Sequence, residues 1–144
     1  LSIISSLSEL MQDDPAKALS TVNKLIKKAP NPLPLGLIAA RRFSAVGLLA
    51  EAEKLLTKLS EIDETSVVVM NEMAKIYLRK KRYKNASDML RRAHKNSPMN
   101  MQRICLMGEA ELNLRDPEAA REYFKTALEI DSKMLSLNWS DCFD

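Results

Sequence analysis

Alanine stands at Ala18, Ala52, Ala86 and Ala120, each 34 residues after the last. A fixed interval of that size constrains the fold more than any other feature of the chain. It marks an array in which each repeat is one supersecondary unit that buries its apolar face against its neighbours. The sequence around each alanine recurs too, most clearly in residues 71–98, NEMAKIYLRKKRYKNASDMLRRAHKNSP, and 107–131, MGEAELNLRDPEAAREYFKTALEID.

Within the third copy, apolar residues fall at Met73, Ile76 and Tyr77, then at Tyr83, Ala86, Met89, Leu90 and Ala93. That is helical spacing on both sides of a short basic turn, and it predicts two antiparallel helices per period. A small residue at the same place in every second helix lets the partner approach to the short end of the usual range of about 8–10 Å between axes. Helix starts are signalled by Asp14-Pro15 and Asp116-Pro117, an N-cap acceptor followed by a proline lacking the N–H that would be orphaned there. Prolines at Pro30, Pro32, Pro34 and Pro98 separate the copies.

A period of this length holding two helices resembles the tetratricopeptide repeat. In the third copy Met73 and Ala74 stand where the family has Leu-Gly, Tyr77 where it has an aromatic, and Tyr83, Ala86, Leu90, Ala93 and Pro98 at the remaining signature places. The fourth supplies Met107, Gly108, Ala120, Phe124 and Ala127, with Glu111 replacing the aromatic and Ser132 the turn proline. The second is looser (Ala40, Phe43, Gly47, Leu49, Ala52, Leu56), and the first keeps only its back half, DDPAKALSTVNKLIKKAP. The resemblance implies an all-α, right-handed superhelical solenoid of antiparallel helix pairs, with about 3.5 to 4 repeats. Their expected limits are 1–32, 33–66, 67–100 and 101–134, followed by a capping helix at 135–144.

With 46% apolar and 28% charged residues, the 144-residue chain suits a single helical-repeat domain. Its start at Leu1, inside the apolar run LSIISSLSELM, reads as a piece of a longer protein. No stretch approaches the roughly 18 apolar residues of a membrane span. Cys105 and Cys142 form no C-x-x-C and have no neighbouring histidine, so they read as free thiols in a reducing compartment, with no metal site. His94 reads as a solvated or capping residue on a charged helix. Phosphate loop, dinucleotide fingerprint, G-x-S-x-G and H-E-x-x-H motifs are all absent, which argues against an enzyme and against a cofactor.

Charge is uneven along the chain. Residues 67–100 hold nine Lys and Arg against Glu72 and Asp88, a net +7, whereas the whole chain carries only +3. Part of this is structural, because Arg79, Lys80, Lys81 and Arg82 close a helix, where cations complement the dipole. The segment as a whole reads either as a solvated face with such helix-end cations or as an electrostatic footprint for an acidic partner surface or peptide. In the family that this chain resembles, the first helices of successive repeats line a concave groove. Projection by helical spacing nominates Leu37 and Arg41, then Asn71, Lys75 and Arg79, then Gln102, Cys105 and Glu109. Arg41, Lys75 and Arg79 are expected to form a positive strip able to hold carboxylates by charge-assisted hydrogen bonds. The dicarboxylate clamp that some members use on chaperone tails is rejected, because Leu37, Arg41 and Leu106 stand at its places.

The tail LSLNWSDCFD has apolar residues at Leu135, Trp139, Cys142 and Phe143. It reads as a helix capping the last repeat, or as an end interface in which Trp139 and Phe143 dock on a neighbouring domain or on a second copy as a homodimer. Ser97, Pro98, Arg103, Met107 and Gly108 also resemble repeats attached to bacterial response-regulator receiver domains, which implies an output or docking module in signalling. The expected function is a cytoplasmic, non-enzymatic interaction scaffold. The alternatives are self-association through the terminal helix and nucleic-acid binding through residues 75–95. The last is disfavoured because the basic run is a single turn and stacking aromatics are scarce.

Overall fold

The computed structural model describes residues 2–143, with side chains from residue 6 to residue 133. Among the described residues it contains eight helices and no strand: α1 (Ser2–Asp13), α2 (Pro15–Lys28), α3 (Pro32–Ala45), α4 (Leu49–Ile62), α5 (Val67–Arg79), α6 (Tyr83–Asn96), α7 (Met101–Asn113) and α8 (Pro117–Phe143).

The starts follow from local chemistry. Asp14 Oδ1 accepts a hydrogen bond from Lys17 N at 3.2 Å, and Asp116 Oδ1 accepts one from Ala119 N at 3.1 Å, so the two Asp-Pro pairs open α2 and α8 as expected. Asn100 does the same for α7, accepting from Arg103 N at 2.8 Å. Pro32 opens α3 without a side-chain cap from Asn31.

The turns inside the helix pairs share one geometry. Gly47, Lys81 and Arg115 have φ of 86°, 62° and 64°, in the left-handed region, and they too are 34 residues apart. After each, a backbone N–H reaches back five residues, from Leu48 to Phe43 O at 2.8 Å, Arg82 to Tyr77 O at 2.8 Å and Asp116 to Glu111 O at 2.9 Å. A second bond, from the N–H of the left-handed residue to the carbonyl three residues before it, completes a Schellman closure, which satisfies carbonyls that the helix end would otherwise orphan. The first pair is different: only Asp14 separates α1 from α2.

By contact the chain divides into two units, Leu1–Ile76 and Tyr77–Asp144. In the first, α2 touches α1, α3 and α4, and α3 pairs with α4. In the second, α7 lies against both α6 and α8. The periodic alanines are the floor of this packing: Ala18, Ala52 and Ala86 are 0% exposed and Ala120 is 1% exposed. Glycines mark close approaches in two copies: a Cβ on Gly36 would collide with the Leu59 side chain, and one on Gly108 would stand 2.8 Å from the ring of Phe124.

Helix α8 runs through the 134/135 boundary at which a separate capping helix was expected. Ser132 stands where the third copy has its turn proline, so no proline interrupts the helix there.

Candidate interaction surface

In the first unit, α3 carries Leu37 and Arg41, and α5 carries Asn71, Glu72 and Lys75. Leu37, Asn71 and Lys75 are half-buried, and Arg41 is exposed. Arg41 Nε donates to Glu72 Oε1 at 3.1 Å, and Lys75 Nζ approaches the same oxygen at 3.4 Å. Glu72 and Lys75 lie one turn apart on α5, the spacing at which opposite charges meet on a helix surface. Arg41 comes from 31 residues earlier and ties α3 to α5.

The structure therefore corrects the expected positive strip. Its first two cations share a carboxylate that the projection left out, so Arg41, Glu72 and Lys75 together carry one net positive charge. Both cations are at least a third exposed, which limits each pair to about 0–1 kcal/mol of stabilisation. Arg79, the third member, belongs to the second unit.

The second unit also holds Gln102, Cys105 and Glu109 on α7. Gln102 and Glu109 are exposed. Cys105 packs with Tyr123 against the buried cluster of Ile104, Ala127 and Ile130, so its thiol serves the interior as much as any surface. The side chains of Trp139 and Phe143 lie outside the described residues.

Two buried charges of this unit escaped sequence reasoning. Glu111, 5% exposed, occupies the place of the family's aromatic; its Oε1 accepts from Ser87 Oγ at 2.9 Å and from Arg91 Nη2 at 3.1 Å. A carboxylate at that depth requires such donors, and α6 supplies both. Arg103 is 2% exposed, and its guanidinium donates to Ser97 O, binding α7 to the turn before it. Burial lowers the Arg103 pKa from its ordinary value. One signal was available for each: Glu111 breaks the aromatic pattern of Phe43 and Tyr77, and Arg103 falls in register with Val69, which is buried. His94 is half-buried rather than solvated, and its Nδ1 has no hydrogen-bond partner.

Among the described residues, no group of three or more His, Cys, Asp or Glu is placed to hold a metal ion, and no helix is long and apolar enough to cross a membrane.

Comparison with known proteins agrees with the helix-pair geometry. The tetratricopeptide repeat profile matches residues 102–134. No curated protein matches the chain in sequence. Among solved structures, MamA of strain MSR-1 superposes with a TM-score of 0.68 at 17% identity, covering 89% of this chain and 74% of its own. MamA from Desulfovibrio magneticus RS-1 gives 0.70 at 13% identity, over 88% of this chain and 72% of that one. YrrB, described as a TPR protein with an unusual peptide-binding site, gives 0.69 at 23% identity, over 77% of this chain and 57% of that one. The chain is therefore all-α among its described residues and shares the fold of these structures, and its residues 102–134, α7 with the first part of α8, match the tetratricopeptide repeat.

Proposed function

We propose that the protein is a non-enzymatic interaction scaffold that binds a protein or peptide segment on the face carrying Leu37, Arg41, Asn71 and Lys75. The observation that carries this reading is the Arg41–Glu72–Lys75 arrangement: two cations from different helices, partly exposed, flank one half-buried carboxylate. Such a face offers directional donors to a carboxylate or a main-chain carbonyl while Leu37 supplies apolar contact. The YrrB description supports a peptide as the form of partner. An acidic segment suits the excess of cations, and Arg79, Gln102, Cys105 and Glu109 extend the candidate set on the second unit. A cytoplasmic docking or output role in signalling is the biological setting that fits a scaffold of this kind.

The test is affinity capture from the source organism with the wild type, an R41E/K75E variant and an R79E variant. Loss of the same partners from R41E/K75E, with far-UV circular dichroism unchanged, supports the assignment. Retention of every partner by R41E/K75E sinks it. Capture lost only in R79E moves the site to the second unit.

A further inference from the structure

The repeat register singles out a second surface, independent of the face above. Glu9, Phe43, Tyr77 and Glu111 lie 34 residues apart, so each holds the same place in the first helix of its copy. Two of the four are carboxylates, at the two ends of the series. Glu111 is satisfied by Ser87 and Arg91 of the preceding second helix, α6. Glu9 is exposed on α1.

One period after Ser87 and Arg91, α8 places Arg121 and Lys125. Both are exposed, one turn apart, and like charges at that spacing repel. They line a surface depression of about 510 Å³ whose other walls include Leu112, Phe124 and Leu128. Leu112 is 52% exposed and Leu128 is 67% exposed, so this apolar ground is open. Two of the depression's residues on α8, Arg121 and Lys125, stand one period after Ser87 and Arg91, the α6 residues that bond Glu111 of α7. The equivalent pairs in the first two copies are Leu19 with Asn23 and Glu53 with Thr57, neither of them basic. Only α8 carries two cations at the place where a following helix would bring its carboxylate.

We propose that α1 of a second copy of this chain seats on α8 as α7 seats on α6, with Glu9 of that copy between Arg121 and Lys125. The charges are complementary, the register is that of a contact already present in the fold, and an apolar floor surrounds the pair. The contact is heterologous, joining the front of one copy to the back of another, so it closes as a ring or continues as an open chain. A carboxylate brought between the two cations also relieves their repulsion.

Sedimentation velocity across a concentration series tests this. The wild type should self-associate, less at high salt, because the attraction between Glu9 and the two cations, all exposed before the copies meet, is screened. E9K and R121E/K125E should each raise the apparent dissociation constant by about tenfold or more. Mixed in equal amounts, these two variants should assemble beyond dimers, since the exchanged charges pair at one junction and the native charges at the next. E9Q mixed with R121Q/K125Q should stop at a heterodimer, because only one native junction is available. Far-UV circular dichroism serves to show that each variant stays helical. A wild type that remains monomeric throughout, a charge variant that associates as the wild type does, or a charge-swapped mixture that stays monomeric each overturns the proposal. Monomeric wild type that captures the helix of an unrelated protein on α8 would assign the surface to that protein instead.

Discussion

Gly47, Lys81 and Arg115 perform the same backbone task with different side chains. A left-handed conformation costs an L-residue roughly 1–2 kcal/mol, and glycine avoids that at an entropic cost of about 0.5–1 kcal/mol. Lys81→Gly and Arg115→Gly are therefore expected to stabilise the protein by up to about 1 kcal/mol each. Gly47→Ala should destabilise it by a similar amount, although its Cβ would meet no atom within 4 Å. Urea denaturation midpoints of the three variants check this, and a destabilised Lys81→Gly would mean that the lysine side chain outweighs its own backbone strain. Little of this was legible in the chain itself. The run Arg79 to Arg82 reads as cations suiting a helix end, which it is, but a φ angle leaves no trace in a lysine. Only the alignment with Gly47 at the repeat interval points to it.

Between helices, the fourth copy solves the close approach with a different pair of residues. In register, Gly108 replaces Ala40 and Ala74, while Phe124 replaces Leu56 and Leu90. The larger ring on α8 takes the space that a methyl on α7 would need. Gly108→Ala should thus cost about 1–3 kcal/mol through overpacking, and adding Phe124→Leu should recover most of that loss. Thermal or chemical unfolding of the single and double variants decides; additive losses would show that the two sites are not coupled. Helix pairing was legible because burial follows period, and Ala18, Ala52, Ala86 and Ala120 sit where the spacing puts them. The Glu111 contact was not, because a charge at an aromatic's place acquires meaning only when Ser87 and Arg91 are seen beside it. Likewise Glu72 had a visible clue in its spacing from Lys75, but its bond to Arg41 depends on how α3 and α5 meet.

For the molecule as a whole, the charge total hides its distribution. Nine of the 22 Lys and Arg fall in residues 67–100, yet Lys75 and Arg91 are engaged with carboxylates of the protein itself. The densest run of cations, Arg79 to Arg82, spans a single turn, which is a short footprint for a polyanion. A fluorescent single-stranded RNA is therefore expected to give no anisotropy change at roughly 150 mM salt, where the screening length is about 8 Å. Binding that persists there, with a steep salt slope, would revive the nucleic-acid reading. The Arg41–Glu72–Lys75 group has a consequence for selectivity of the same kind. Arg41 spends its Nε–H and Lys75 one ammonium N–H on the resident carboxylate, so a visiting acidic group can bond the other donors of both side chains but must do so beside the negative charge of Glu72. A single well-placed carboxylate is then favoured over a run of acidic residues, and side-chain shape against Leu37 shares the choice: Glu72 acts as a gauge of where a partner's negative charge sits, more than of how much it carries.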